Sequence, residues 1–356
     1  MRYLLVGNYG VGNAGDEILR DYFLERFSKV DWRVCSASPQ SGELSRLPSG
    51  FRSFFSMRWL KTLHELWQSD GIVFGGGSLF TDEESSAACW IWFVHAFCAV
   101  MFRKPVIMAY QGIGPFRTIL GEWFARFVIR HAVFISTRDT YSTECVSLWK
   151  KSTEVVQSFD PSFLLLERDN LTFGTNNVFT FIPRYSTRWS LLLREKVVSI
   201  LRELVSRGWK VHILSLHPSD SRERELCQSL SNTLGIHMQF TSSLREAVTF
   251  IAGSVCVLSQ RYHSAVVALA GGIPFVALAL GKGDKLDALA RMCGCPSETL
   301  DSITVKTILN TDWNEKRESV ISLRDQYVWL VEQGEEELRK VLGTYSRSAR
   351  ESHKFR

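Results

Sequence analysis

The stretch Leu4–Glu17, LLVGNYGVGNAGDE, constrains the fold more than any other. Apolar Tyr3, Leu4, Leu5 and Val6 read as a buried strand, and Gly7, Gly10, Gly12 and Gly15 follow as a loop. A helix then opens at Asp16 and Glu17, with Ile18, Leu19, Tyr22, Phe23 and Phe27 on one face. Glycines at a strand end let the backbone take conformations closed to other residues, and the free N–H groups and dipole of a helix start favour an anion. A phosphate or a carboxylate is the natural guest. Asp16 and Glu17 would repel that guest, so either they cap the helix or Asp16 does chemistry. The dinucleotide motif can be laid on Gly10, Gly12 and Gly15, but no acidic residue follows the next expected strand, Trp32–Ser38, to hold a ribose. That argues against a plain NAD site.

The same grammar recurs. Buried strands are expected at Gly71–Phe74, Pro105–Tyr110 and Val133–Ser136, followed by Gly75-Gly76-Gly77-Ser78, Gln111-Gly112-Ile113-Gly114-Pro115 and Thr137-Arg138-Asp139. Polar Glu167–Asn177 breaks the alternation and reads as a linker. Beyond it, strands are expected at Val178–Ile182, ending at Pro183-Arg184, at Lys210–Leu216, ending at His217, at Ser254–Leu258, ending at Gln260-Arg261-Tyr262-His263, and at Ile273–Leu280, followed by Gly281-Lys282-Gly283-Asp284-Lys285. A long terminal helix is expected over Glu315–Leu342, with a frayed polar end from Tyr345. Alternating strands and helices predict an α/β fold of two Rossmann-like doubly wound domains, and two such sheets facing across a cleft would be GT-B-like. The expected boundaries are 1–170, 171–345 and a polar tail, 346–356.

A chain of 356 residues is long enough for two cores, and 45% hydrophobic with 22% charged residues fits a globular protein. The net charge of +5 comes from basic residues spread along the chain, which gives little support to nucleic-acid binding. Eight cysteines lie mostly in apolar runs, as expected of reduced thiols in a cytoplasmic chain, and Met1-Arg2 leads straight into a strand without the look of a signal peptide. Ala87–Phe102 is almost wholly apolar but shorter than a bilayer span and carries His95 at its middle, so a buried helix is expected. Its aromatic run at Trp90–Phe93 and basic flank leave a second reading, a peripheral contact at the inner face of a membrane.

His263, directly after a buried strand and beside Arg261, is the candidate acid or base; the plainer alternative is a histidine that bonds a carbonyl or caps a helix. Arg138, Arg184 and Arg261 each stand at a strand end, where guanidinium forks match carboxylate and phosphate oxygens. Lys282 and Lys285 follow the next strand, where an ammonium would neutralise a leaving phosphate. The other histidines show no ligand spacing, so no metal is expected.

In this order, GNAGDE at 12–17, GGGSLFTD at 75–82, QGIGP at 111–115, STRD at 136–139, DPS at 160–162, IPR at 182–184, RYH at 261–263, AGGIP at 270–274 and GDKLDAL at 283–289 resemble the polysaccharide pyruvyl transferase family. The resemblance implies a GT-B-like fold and transfer of pyruvate from phosphoenolpyruvate to a sugar of a cell-envelope or extracellular polysaccharide precursor, closing a cyclic ketal and releasing phosphate. It implies catalytic roles for His263, Asp16 and Lys285, with Lys282 as the alternative lysine. Arg138, Arg184, Arg261, Asn13, Gly15, Gly76 and Gln111 are the expected substrate-binding residues. The first domain would take the sugar acceptor, lipid-linked or not, and the second the phosphoenolpyruvate, a donor substrate beside which no cofactor is expected. The competing reading is a GT-B glycosyltransferase that uses a nucleotide sugar, and a third is a binding protein that kept the fold without catalysis.

Overall fold

Apolar runs that end in glycine or a polar turn form parallel strands, and amphipathic segments between them form the crossover helices. The structure, a computed structural model, describes residues 1–48, 50–82, 86–150, 154–166, 177–186, 189–279 and 284–354. The strands are β1 (Arg2–Val6), β2 (Asp31–Ser36), β3 (Leu44–Ser45), β4 (Gly71–Phe80), β5 (Val106–Ile113), β6 (Ala132–Thr137), β7 (Val155–Gln157), β8 (Val178–Ile182), β9 (Lys210–Ser215), β10 (His237–Phe240), β11 (Cys256–Ser259), β12 (Phe275–Ala279) and β13 (Ser297–Thr299).

The first seven form one sheet in the order β3-β2-β1-β4-β5-β6-β7. Leu5 of β1 is in register with Val34 of β2 on one side and with Val73 of β4 on the other. The chain therefore winds outward through β2 and β3 and returns on the far side of β1, which puts a topological switch point between β1 and β4. The last six form a second sheet, β10-β9-β8-β11-β12-β13, wound in the same way with its switch point between β8 and β11. Every pairing in both sheets is parallel. Each sheet has its own core, one built around Leu4, Phe74, Met108 and Ile135 and the other around Phe181, Leu201, Ile213 and Leu258. The expected doubly wound α/β class is what the chain adopts.

Two strands run further than their apolar patterns indicate. β4 continues through Gly75–Gly77 to Phe80, and β5 through Gln111 and Gly112 to Ile113, where Gly77 still pairs with Gln111. These motifs are strand, not loop.

The chain separates into two compact units: Met1–Val11, Asp16–Ser162 and Tyr327–Arg356 in the first, Gly12–Gly15 and Phe163–Gln326 in the second. A second domain running unbroken over 171–345 was the expectation; the helix Trp313–Lys354 instead passes its later half to the first unit. Tyr327 stacks on Phe159 with centroids 4.1 Å apart, buried Glu335 accepts from Tyr22 and Arg26, and the Tyr3 hydroxyl donates to Leu342 O. The helix also persists past Tyr345, where a frayed end was expected, since no glycine or proline after Gly343 interrupts it. The expected linker Glu167–Asn177 lies outside the described residues except for Asn177.

Candidate functional site

In the first unit the glycines after β1 divide their labour. Tyr9 is buried and its hydroxyl donates to Gly75 O over 2.8 Å. A Cβ on Gly7 would stand 2.4 Å from the Tyr9 ring and one on Gly75 2.3 Å from its hydroxyl, so these two glycines make room for a side chain rather than for a ligand. Gly10 has φ +76° and its N–H donates to Glu17 Oε1 over 2.8 Å. Glu17, held in turn by Arg20 at 2.9 Å, closes the loop on itself. Asp16 does something else. Only 8% exposed, it accepts from Asn8 Nδ2 over 3.0 Å. Arg46 Nη2 braces the same turn through Gly7 O, Asn8 Oδ1 and Tyr9 O. Burial lowers the pKa of the Arg46 guanidinium, with the charge of Asp16 acting to raise it. Gly76 and Gly77, at φ +84° and +86°, bend β4 beside Leu19 and Asp16. Arg46 was not singled out in the sequence, because the strand it follows, β3, is only two residues long and leaves no apolar run to mark its end.

Arg138 follows β6 and is anchored. Its side chain is 4% exposed, Nη1 donates to Asp160 Oδ2 over 3.2 Å, and Nη2 donates to Ser78 Oγ. Asp160, fully buried, also accepts from the N–H and hydroxyl of Ser162. That gives the DPS motif a physical reason: its aspartate seats the arginine and its serine seats the aspartate. Gly112 is bare because a Cβ there would lie 3.0 Å from Arg138 Nε and 2.7 Å from Ser78 Oγ. Gln111 is fully buried and its Nε2 donates to Phe74 O and Ala109 O. Its amide N–H groups are engaged by backbone, so this residue, expected to bind substrate, also braces β4 and β5.

In the second unit the ends of β8, β9, β11 and β12 carry the site. Gln260 Oε1 accepts from Arg184 N over 3.0 Å, tying the turn after β11 to the turn after β8 across the switch point. Arg261 Nη2 donates to Glu223 Oε2, and fully buried Glu223 also accepts from Ser215 Oγ at 2.8 Å and Tyr185 N at 3.3 Å. The Arg261 fork is thus held by a carboxylate rather than open on all sides. Glu223 was not singled out in the sequence, although a signal was there: it lies on the helix Ser221–Leu234 in line with the buried positions Leu226, Cys227 and Leu230, a carboxylate on an apolar stripe.

His263 is the second residue of the helix Tyr262–Ala270, fixed by a serine brace in which Ser264 Oγ and Ser259 Oγ both donate to Arg261 O. The segment Gly12–Gly15 groups with this unit. A Cβ on Gly15 would lie 2.0 Å from His263 Nδ1, so the imidazole fills the place of the missing side chain. A Cβ on Gly12 would lie 2.8 Å from Ser219 Oγ and 4.0 Å from His217 Nε2. Asn13 Oδ1 accepts from Gly15 N over 3.4 Å, a turn bond that shapes this seat. Lys285 is the first residue of the helix Lys285–Met292, whose cap Asp284 accepts from Asp287 N over 2.8 Å. Lys282 lies outside the described residues.

Each unit by itself presents polar groups beyond the carboxyl ends of its parallel strands: anchored Arg138 and the buried carboxylate of Asp16 in the first, Arg184, anchored Arg261 and the imidazole of His263 in the second. Such groups can hold carboxylate and phosphate oxygens and can move protons. Among known proteins, the amylovoran biosynthesis protein AmsJ of Erwinia amylovora is 25% identical over 350 aligned residues, 78% of this chain and 83% of that one. A UDP-N-acetylglucosamine 2-epimerase superposes with TM-score 0.65 at 12% identity, covering 97% of this chain and 96% of that one. The enzyme of the same name from Neisseria meningitidis, solved bound to UDP-GlcNAc, gives 0.59 at 13% identity, covering 97% and 100%. MurG of Acinetobacter baumannii gives 0.54 at 10% identity, covering 94% and 100%. These likenesses show the fold alone, a GT-B-like pair of Rossmann-like domains. Residues 13–281, from the glycine loop to just past β12, match the polysaccharide pyruvyl transferase family, and the chain belongs to that family.

Proposed function

We propose that this protein moves the pyruvyl group of phosphoenolpyruvate onto two hydroxyls of one sugar in a cell-envelope or extracellular polysaccharide precursor, closing a cyclic ketal and releasing phosphate. The family and the AmsJ relative make it a transferase in polysaccharide modification; donor, ketal and acceptor are this reading's own. The observation that carries it is the seat of His263. Gly15 is bare because the imidazole occupies its side-chain space, so the GNAGDE motif exists in part to place the histidine of the RYH motif.

In this reading a proton goes to the methylene carbon of phosphoenolpyruvate, leaving a methyl group and an oxocarbenium-like centre at C2. One sugar hydroxyl adds there and gives up its proton. Phosphate departs with the electron pair of its C–O bond, and the second hydroxyl adds to the cation that remains. Of the two hydroxyl protons, one balances the proton placed on carbon and one leaves with phosphate. His263 serves the protonation and Asp16 takes a hydroxyl proton. Arg138, oriented by Asp160, and Arg261, oriented by Glu223, present N–H groups in fixed directions, while Arg184 and Lys285 hold carboxylate and phosphate. The balance calls for no redox partner, and phosphoenolpyruvate is a substrate rather than a cofactor.

The test incubates the purified protein with phosphoenolpyruvate and a panel of sugar acceptors and follows phosphate release. Acceptor-dependent release that disappears in a folded His263→Ala variant is the expected result. Nucleotide release from a UDP-sugar, with none of phosphate from phosphoenolpyruvate, would make the protein a glycosyltransferase instead.

A further inference from the structure

The helices Ser86–Met101 and Ile119–His131 of the first unit leave a slab of apolar side chains uncovered. Trp90, Phe93 and Phe97 follow one another at helical spacing on the first helix, and Ile119, Leu120 and Trp123 on the second. Phe93 joins the two stripes, its ring centroid 5.6 Å from that of Trp123 and 5.0 Å from that of Phe127. Ile119 is 88% exposed, Leu120 61% and Trp123 53%. Single exposed apolar residues are ordinary; a contiguous, aromatic-rich face is a docking surface. Among the described residues no helix is long and apolar enough to cross a membrane, so the face cannot be part of a span made by these helices.

The charge around the face says what covers it. Residues 90–133 contain five basic residues, Arg103, Lys104, Arg117, Arg126 and Arg130, and one carboxylate, Glu122, which pairs with Arg126 at 2.5 Å. Arg103, Arg117 and Arg130 are exposed. Three exposed arginines, with the one carboxylate of the second helix already paired, complement a negatively charged bilayer surface, with the rings at headgroup level and the arginines on lipid phosphates. We propose that this face seats the protein on an anionic lipid surface. Both helices follow the carboxyl ends of β4 and β5, the side of the sheet on which β1 also ends, ahead of the loop that leads to Asp16. Trp90, Ile119 and Leu120, near the starts of the two helices, therefore lie toward that side, where a sugar carried on a lipid would be met. The binding itself rests on this face and not on the identity of the donor.

The full chain is mixed with phosphatidylcholine vesicles, plain or with about one third phosphatidylglycerol, and sedimented at low and high salt. The expected result is co-sedimentation with the anionic vesicles only, weakened by salt, and at least about tenfold weaker in Ile119→Glu/Trp123→Glu. Both side chains are exposed, and an unchanged thermal midpoint confirms that the variant is folded. Equal binding of variant and natural protein, equal binding to neutral vesicles, or no binding to either overturns the proposal. So does a dimer in light scattering that the variant dissociates, which would give the face to a second copy of the chain.

Discussion

Asp160 carries the guanidinium of Arg138 with both side chains out of solvent, 0% and 4% exposed, and Nη1 to Oδ2 at 3.2 Å. Removing one partner of such a pair leaves a buried charge uncompensated, which typically costs about 3–5 kcal/mol. Asp160→Ala is expected to lose stability of that order, read as a lower denaturant midpoint with unchanged slope. Arg138→Lys, a point charge without a planar fork, cannot reach Asp160 and Ser78 together and should lose most turnover while staying folded. A midpoint for Asp160→Ala within experimental error of the natural protein would refute the buried pair.

Gly15→Ala gives a second expectation, because two effects of opposite sign can be separated. Within a helix, alanine is favoured over glycine by about 1 kcal/mol. Here the added Cβ would meet His263 Nδ1 at 2.0 Å, and the ring must leave. Turnover in the phosphate-release assay should fall about as far as in His263→Ala, with only a small change in thermal midpoint. Full activity in Gly15→Ala would show that the imidazole does not depend on this seat.

His95 supplies a pH dependence. It is fully buried in the helix Ser86–Met101, with Nε2 accepting from Leu47 N over 3.0 Å and Nδ1 within 2.8 Å of Ile91 O, the pattern of a neutral ring. Burial, outweighing the hydrogen bond to Ile91, lowers its pKa from 6.5 to about 4. A depressed histidine favours the folded state fully above pH 6.5 and loses that advantage as pH falls toward the folded value. Over this window stability should drop by up to about 1.4 kcal/mol per pH unit. Unfolding measured from pH 7 downward checks this, and His95→Gln, which keeps an acceptor for Leu47 N, should flatten the slope.

Much of this was written in the chain. The strand ends that bear Arg138, Arg184 and His263 were readable because long apolar runs stop abruptly at polar or glycine-rich turns. What escaped has physical causes. β7, β10 and β13 are short edge strands whose residues are half-exposed, so their alternation is too weak to stand out. The triple glycine looks like a loop because glycine is rare inside strands, yet Gly75 lies within β4 so that the Tyr9 hydroxyl can reach its carbonyl. Return of the terminal helix to the first unit depends on contacts such as Tyr22 with Glu335, separated by 313 positions, which no local pattern encodes. The carboxylates that anchor Arg138 and Arg261 were visible as residues but not as partners.

Glu223 and Arg261 make that last point testable. Glu223 accepts from Arg261, Ser215 and Tyr185, so it is a buried charge with three donors, one of them cationic. Glu223→Ala should be strongly destabilising, by about 3–5 kcal/mol, because Arg261 is left without its counter-charge. If the pair is what matters, Arg261→Met added to Glu223→Ala should cost less than the two single losses combined, with a coupling of at least about 1 kcal/mol in a double-mutant cycle. Glu223→Gln separates orientation from charge: it can still accept from Ser215 and Tyr185, and its cost should be well below that of alanine. In the phosphate-release assay it should slow turnover more than it changes KM, since Arg261 would keep its charge but lose its fixed direction. Strictly additive losses in the cycle would show that the two side chains do not hold one another, and the positioning role given to Glu223 would fall with that result.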